Sequence, residues 1–391
     1  MRLFMYKARR SLLAGFLISS SIGFCYAFSL FAPHVQELLG ASKTVVQFAF
    51  CLNIFFLGIG AAFFGSLVEK NIKVAAWTST TLLCSGLAVS GLAMHLKSVW
   101  LFYLGMGVMC GISEGCGYVT PVKNLLLWFG KSRHKALIMA LSIISFGLGS
   151  SICSFVFKYA FPAFGIENVF FFFSGMYLLM AGAGALMISK PRYVKFKTDI
   201  KKTYSVAKYV KDPYFLQSWL FMFLNISMGL IIIGQCAGML AANPVPSAAV
   251  IMIMMLCGLS NGFGRLVFPA ISDYLKKRID GWTVALIIEI LVLILAIIDP
   301  WFIPLAFIAI NACYGCGFAL APAILSDHFG NTELSFCHGI LLSAWGIASI
   351  FAFIVSMFVL GILQLSQNVL FGILATIYAV NFVNVLMLRK R

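Results

Sequence analysis

The sequence predicts an all-α membrane protein in which twelve transmembrane helices form two pseudo-symmetric halves of six. Composition is the first observation: 62% of the 391 residues are hydrophobic and only 10% are charged, whereas soluble domains average about 45–50% and about 25%. The second is a series of twelve apolar runs, and the third is a motif that recurs 200 residues further along the chain. This composition excludes a soluble enzyme.

Each apolar run comes close to the roughly 20 residues that a helix needs to cross a bilayer. Irregular backbone cannot face lipid, so every run is predicted to be α-helical. The runs fall at 11–31, 44–67, 74–94, 100–127, 136–157, 169–189, 214–240, 248–271, 281–298, 301–326, 337–360 and 368–388. The polar segment 190–213 is predicted to be a cytoplasmic linker between an N-terminal half, 1–189, and a C-terminal half, 214–391.

The distribution of Lys and Arg predicts the orientation. Most of the 28 basic residues fall in alternate connections, on the side that also holds both termini, and only Lys43, Lys97 and Lys158 fall on the opposite side. Cytoplasmic connections are enriched in Lys and Arg. We therefore predict a multi-pass protein of a bacterial-type inner (plasma) membrane with both termini in the cytoplasm. The net charge of +16 is interpreted as this topology signal, and no nucleic-acid partner is predicted.

The eleven cysteines lie in or beside apolar runs and are interpreted as small buried hydrophobic residues. Cys313 and Cys316 have CxxC spacing, but no second pair or histidine cluster accompanies them at zinc-site spacing. No metal site and no cofactor are predicted.

The two halves share sequence motifs. Gly-Cys-Gly-Tyr at 115–118 recurs as Gly-Cys-Gly-Phe at 315–318, and the glycines at 58 and 60 recur at 262 and 264. Six helices return the chain to the same side, so both repeats begin there and the halves are parallel. This arrangement resembles the architecture of major facilitator transporters. It implies a binding site between the halves, near the middle of the membrane.

The connection between the second and third helices resembles the loop signature of the facilitator superfamily. In that signature a glycine allows close helix contact, and an acid with nearby bases forms a cytoplasmic latch. Gly65, Glu69 and Lys70 fit the first copy, and Asp273 with Lys277 fits the second. These residues are the predicted gating elements. The alternative is basic charge that only sets topology, together with a helix cap.

Arg265 is the strongest candidate for a binding residue. It lies eight residues before Asp273, which we expect at the inner boundary of the membrane. At 1.5 Å per residue, Arg265 is therefore about 12 Å deep in the hydrocarbon core. Arginine there costs at least about 2.5–3.5 kcal/mol, and a cavity or an anionic partner usually compensates. Its planar fork matches a carboxylate, and Asn261 lies one turn away on the same face. Alternatively, Arg265 extends toward the cytoplasm or pairs with Asp273.

Two acids lie within the predicted spans. Glu114, in helix 4, shares a face with Tyr118 and is the candidate for proton coupling, although a protonated acid bonded between helices is the alternative. Glu289, in helix 9, belongs to a class of helices that stays peripheral in the facilitator architecture, so a structural role is expected. His338, at the start of helix 11, is a second candidate for titration, with helix capping as the alternative.

Four aromatic residues, Tyr26, Tyr118, Phe318 and Trp345, lie in helices 1, 4, 10 and 11. Aromatic walls suit a small carboxylate, because they offer apolar faces to its carbon skeleton and a hydroxyl or indole donor to its oxygens. We predict that these residues enclose the substrate.

Several segments together resemble the oxalate/formate antiporter family of the major facilitators, which is close to the monocarboxylate transporters. They span helices 1 to 11 and lie at 26–33, 115–121, 261–265, 338–339 and 343–346. The resemblance implies that the substrate-binding arginine of the family falls on Arg265 and that its aromatic cage falls on Tyr26 and Tyr118. The second basic residue of the oxalate carrier, a lysine in helix 11, falls on Trp345.

The sequence therefore predicts a monomeric secondary active transporter, not an enzyme, with a small organic anion, H⁺ and the lipid bilayer as its partners. One cation cannot comfortably neutralise two carboxylates in a low dielectric, so a monocarboxylate of the lactate, pyruvate or formate type is preferred over oxalate. Proton-coupled transport by alternating access is the first hypothesis. A carboxylate anion exchanger of the oxalate/formate type and a transport-dead metabolite sensor remain as alternatives.

Overall fold

The computed structural model describes residues 2–129, 135–190, 206–243, 245–272, 274–329 and 334–391, and within these ranges the chain is helical with no β-strand. The contacts divide the chain into two compact units. The first consists of Met1–Cys25 and His34–Thr203, and the second of Tyr26–Pro33 and Tyr204–Arg391. The sequence did not predict that Tyr26–Pro33, inside the first span, packs as part of the second unit.

The N-terminal chain forms six helices, α1 to α6. Apart from the connection between α5 and α6, their ends lie within a few residues of the predicted runs, except that α1 begins earlier, at Arg2, and continues further, to Leu39. Two helices contain irregular turns: α1 has a 3₁₀ segment, and α4 has a π-helical segment. The helices are α1 (Arg2–Ile22, the 3₁₀ turn Gly23–Ala27 and Phe28–Leu39), α2 (Lys43–Lys70), α3 (Ile72–His95), α4 (Val99–Phe102, the π segment Tyr103–Met109 and Cys110–Phe129), and α5 with α6, which together occupy Lys135–Met187.

The connection between α5 and α6 differs from the prediction. Instead of a loop at 158–168, the helix continues through Pro162 and breaks only at Gly165, whose φ of 66° and ψ of 173° are not helical. Lys158, predicted in a connection, therefore lies on helical backbone. Eleven continuous stretches of the described chain are long and apolar enough to cross a membrane. Dividing Lys135–Met187 at Gly165 gives the twelve helices that the sequence predicts.

The C-terminal chain forms helices α7 to α12, which follow the predicted runs closely. A short helix, Val206–Val210, precedes α7, and the side chain of Asp212 caps α7 by accepting hydrogen bonds from the amides of Tyr214 and Phe215. The helices are α7 (Pro213–Ala241), α8 (Ser247–Ser272), α9 (Asp280–Ile298), α10 (Pro300–Phe302 and Ile303–Phe329), α11 (Leu334–Leu341, Ser343–Ser356 and the π segment Met357–Ile362) and α12 (Gln367–Arg389).

The same close helix crossing occurs inside each unit. A Cβ atom on Gly60 of α2 would lie 2.6 Å from the carbonyl oxygen of Ile112 in α4, and one on Gly264 of α8 would overlap the carbonyl oxygen of Ala312 in α10. Small residues let membrane helices approach this closely. The sequence repeat is therefore a repeat of one helix contact, which confirms the predicted fold of two related halves. All eleven cysteines are buried, as expected.

Candidate functional site

Arg265 projects from α8 and is fully buried. Its Nε donates a hydrogen bond of 3.1 Å to Oδ1 of Asn261, one helical turn earlier, and its guanidinium carbon lies 5.3 Å from the ring centre of Phe318. An arginine that reaches toward water is therefore not what the structure shows. The other alternative involves Asp273, which lies outside the described residues.

A glycine in α10 allows this arrangement. A Cβ atom on Gly315 would overlap the carbonyl oxygen of Asn261 and lie 3.1 Å from Cγ of Arg265. Because this position has no side chain, α10 can lie directly against α8. Phe318, three residues further along α10, is thereby placed against the guanidinium. A cation over an aromatic face gains about 2 kcal/mol when both groups are desolvated.

Further aromatic residues extend from Phe318. The ring of Trp345 in α11 lies 4.4 Å from that of Phe318, and the ring of Tyr314 lies 5.2 Å from it. Tyr314 and Tyr26 meet edge to face, with their hydroxyl oxygens 2.9 Å apart. We call these residues the arginine cluster: Arg265, Asn261, Phe318, Trp345, Tyr314 and Tyr26. All of them belong to the second unit.

The arginine cluster contains every predicted substrate-binding residue except Tyr118, and it adds Tyr314. The signal for Tyr314 was present in the sequence, because the offset of 200 between the two repeats pairs Glu114 with Tyr314. Sequence reasoning singled out the acid and passed over its counterpart. Tyr118 belongs to the first unit, where its ring packs edge to face against Phe146, 5.6 Å away.

Glu114 is fully buried in the first unit, in the central part of α4. The amide nitrogen of Asn53 donates to Oε1 of Glu114 at 3.0 Å and to the carbonyl oxygen of Met106 at 2.9 Å. Met106 lies in the π-helical segment, a distortion that often marks functional sites. The thiol of Cys25 lies beside the carboxyl group, while Oε2 makes no hydrogen bond with the described residues.

The remaining predicted residues lie apart from these contacts. His338 is in the first part of α11, and its Nε2 is buried without a hydrogen bond to the described part of the chain. Lys70 is exposed at the end of α2, and Lys277 donates a hydrogen bond of 2.7 Å to the carbonyl oxygen of Arg389. The packing and side chains of Gly65 and Glu69, and all of Asp273, lie outside the described residues. The latch therefore stays a prediction.

The arginine cluster has the chemistry of an anion site. Asn261 holds one edge of the guanidinium and so fixes its plane, and a planar guanidinium can pair with a carboxylate through two parallel hydrogen bonds. The aromatic rings supply apolar faces. Such a polar centre inside helices that can span a bilayer is typical of membrane transport proteins.

Comparison with known proteins agrees with this class. Residues 12–320 match the family model of the Major Facilitator Superfamily, and the chain belongs to this family of transporters. It is 29% identical over 356 residues to the uncharacterized MFS-type transporter YhjX of Escherichia coli, covering 87% of this chain and 85% of that protein. It is 24% identical over 355 residues to the oxalate:formate antiporter of Oxalobacter formigenes, covering 87% and 81%.

A solved structure shows the same fold. The crystal structure of a bacterial homologue of the iron transporter ferroportin, in an outward-facing state, superposes with a TM-score of 0.70. The match covers 97% of this chain and 99% of that chain at 11% sequence identity. At this identity the likeness concerns the fold alone.

Proposed function

We propose that this chain is a secondary active transporter of a small monocarboxylate of the lactate, pyruvate or formate type, coupled to protons and operating by alternating access. The observation that carries the proposal is the complete burial of Arg265 within the arginine cluster. A buried cation is costly unless a counter-charge accompanies it. A substrate anion supplies that counter-charge in the bound state.

The number of cations favours one carboxylate over two. Trp345 occupies the position where the resemblance to the oxalate carrier places a lysine, and its ring packs on Phe318. A dicarboxylate would bring two negative charges to one guanidinium in a low dielectric. The indole ring instead offers an apolar wall, which suits the short carbon chain of lactate or pyruvate.

Proton coupling is assigned to Glu114. The carboxyl group is buried beside Asn53, and the oxygen without a hydrogen bond to the described residues, Oε2, can carry a proton. Intramembrane acids of this kind commonly take part in proton relays. We propose that Glu114 takes up and releases the coupled proton. His338 stays the second candidate.

The anion must be able to reach Arg265, and the protein must lie in a particular membrane. Because Arg265 is fully buried in this structure, the residues around it must move apart before an anion can reach it. We further propose that the protein is a monomer in the inner (plasma) membrane, with both termini in the cytoplasm and with the residues predicted as a latch on that side.

Replacement of Arg265 by lysine tests the proposal. Arg265→Lys keeps the charge but removes the planar fork and the Nε bond to Asn261. The loss of one charge-assisted hydrogen bond costs about 1.5–3 kcal/mol, or roughly a 10- to 150-fold weaker affinity. Lactate binding and proton-driven uptake into liposomes are measured with the same purified preparation. Arg278→Lys, the same change at an exposed arginine that contacts Asp327, is the matched control. Unchanged lactate binding in Arg265→Lys would exclude Arg265 from the site.

The second candidate function is carboxylate exchange, favoured by the similarity to an oxalate:formate antiporter. A strict exchanger needs a counter-substrate inside the vesicle, whereas a proton-coupled transporter does not. Liposomes with an empty lumen and an imposed pH gradient distinguish them. Accumulation of lactate under these conditions supports proton coupling, and accumulation only after the lumen is loaded with formate supports exchange.

A further inference from the structure

The loop between α8 and α9 and the end of α12 carry positive charge that carboxylate binding at Arg265 does not use. The loop is folded into a compact turn, in which the amide of Tyr274 donates a hydrogen bond to the carbonyl oxygen of Ile271 and the amide of Asp280 donates to that of Lys277. Both segments belong to the second unit. Their six bases are Lys276, Lys277, Arg278, Arg389, Lys390 and Arg391.

Arg389 joins the two segments, which are more than 100 residues apart in the chain. Its guanidinium donates hydrogen bonds to both carboxylate oxygens of Asp280, the first residue of α9. Its carbonyl oxygen accepts a hydrogen bond of 2.7 Å from Nζ of Lys277. Membrane orientation depends on the number of bases in a connection and does not require two connections to meet. The orientation therefore does not explain why these two basic segments are held together.

The joined segments have more positive than negative charge. Asp280 pairs with Arg389, and Nε of Arg278 lies 3.2 Å from Oδ2 of Asp327 at the end of α10. Six bases against these two acids leave an excess of four positive charges, and counting Asp273, which lies outside the described residues, still leaves three. The bases outside the two ion pairs are exposed, and we call them the basic corner: Lys276, Lys277, Lys390 and Arg391.

Exposed apolar faces begin beside the basic corner. α9 and α12 pack against one another, and on each helix residues three and four apart lie along one face. The exposed apolar residues nearest to the basic corner are Val284, Ile287 and Leu291 on α9 and Val380, Val383 and Met387 on α12. Tyr274, in the same loop as Lys276, is 92% exposed. Tyrosine is enriched at the headgroup level of membranes.

We propose that the basic corner binds the headgroup of an anionic phospholipid, with the phosphate among Lys276, Lys390 and Arg391 and the acyl chains along α9 and α12. Lysine offers a phosphate a point charge, and arginine offers it a planar fork. Basic clusters at the ends of membrane helices recognise anionic lipids. A soluble phosphate compound or a nucleic acid would pair with the bases and leave the apolar faces uncovered, so a lipid is the favoured occupant. This site does not depend on a carboxylate at Arg265.

Binding of phosphatidylglycerol to the purified full chain in a neutral detergent tests the proposal. Native mass spectrometry counts the bound lipids, and phosphatidylcholine provides the comparison without net charge. The wild type should bind phosphatidylglycerol more tightly than phosphatidylcholine. Combining Lys276→Gln, Lys390→Gln and Arg391→Gln should weaken phosphatidylglycerol binding roughly 150-fold, which corresponds to about 1 kcal/mol for each base. Binding of phosphatidylcholine should not change.

A matched control removes the same residue types from elsewhere on the side that is predicted to be cytoplasmic. Arg9→Gln, Lys73→Gln and Lys211→Gln together change one arginine and two lysines at exposed positions. This variant should bind phosphatidylglycerol as the wild type does, and thermal unfolding verifies that each variant is folded. The proposal is overturned if the basic-corner variant keeps the wild-type affinity, if the control loses as much, or if the wild type binds both lipids equally.

Two further comparisons separate a formed lipid site from excess charge alone. Combining Asp280→Asn with Arg389→Gln removes one acid and one base, so the net charge is unchanged while the contact that joins the segments is lost. Phosphatidylglycerol binding should become several-fold weaker, and an unchanged affinity would overturn the proposal. Glycerol 3-phosphate, which lacks acyl chains, should not displace the lipid at equal concentration. Displacement would show that the basic corner recognises a soluble phosphate, and the lipid assignment would be wrong.

Discussion

Adding one methyl group to Gly315 should damage the anion site more than the same change at its repeat counterpart, Gly115. A Cβ atom at Gly315 would overlap the carbonyl oxygen of Asn261 and approach Cγ of Arg265, whereas one at Gly115 would overlap the carbonyl oxygen of Leu57. Both obstacles are backbone atoms, so in each variant the two helices must separate, by about 1 Å, at an overpacking cost of about 1–3 kcal/mol. At Gly115 a second backbone atom, the amide nitrogen of Ala61, would also be overlapped, so Gly115→Ala should be at least as strained as Gly315→Ala. Only Gly315→Ala places its strain beside Arg265.

The expected effects can be separated by one assay. For domains of 150–250 residues each kcal/mol lowers Tm by about 2–4 °C, so both alanine variants should melt several degrees below the wild type. Lactate raises Tm according to its concentration relative to Kd. That increase should shrink only in Gly315→Ala, because loss of one charge-assisted hydrogen bond, about 1.5–3 kcal/mol, weakens binding at least tenfold.

Thermal unfolding of both variants with and without lactate decides the matter. An equal loss of the lactate-dependent shift in the two variants would mean that helix separation anywhere disturbs binding, and the local argument would fail. An unchanged Tm in both would show that the close crossings described here are wrong.

Three further results are expected. Tyr26→Phe and Tyr314→Phe each remove one hydroxyl of a pair whose oxygens lie 2.9 Å apart, and each should lower the free energy of unfolding by about 1–3 kcal/mol. The double variant should lose less stability than the sum of the two single losses. Additive losses would show that the two hydroxyls do not interact. Glu114→Gln should abolish lactate uptake driven by a pH gradient while preserving exchange, and a normal pH response would return Glu114 to a structural role. Trp345→Lys adds a second cation to the arginine cluster and should increase the affinity for oxalate relative to lactate, as measured by competition between the two anions. If oxalate binding does not increase, the number of cations does not determine specificity.

The sequence predicted the helices well because hydropathy is a property of consecutive residues. It did not predict that the helix continues through Pro162. A proline and a glycine close together in an apolar segment indicate a loop when the packing around them is not known. In the structure the helix tolerates Pro162 and breaks only where Gly165 adopts a positive φ. Local hydropathy therefore predicted the two helices α5 and α6 correctly and the connection between them incorrectly.

The sequence predicted those residues of the candidate site that are unusual within a membrane-spanning helix. Arg265 stood out because a charge inside a span is costly, and the glycines stood out because they repeat. Tyr314 did not, since the sequence contains thirteen tyrosines and this one matters through Tyr26, which is almost 290 residues away in the chain.

The burial of all eleven cysteines has a practical consequence. Thiols that are enclosed in a packed interior react slowly with labelling reagents dissolved in water. The native chain therefore provides a nearly silent background for maleimide chemistry. A cysteine introduced at Tyr274, which is 92% exposed just after α8, would accept a fluorophore or a spin label selectively. Movements of the protein in a bilayer could then be followed without first removing any native residue.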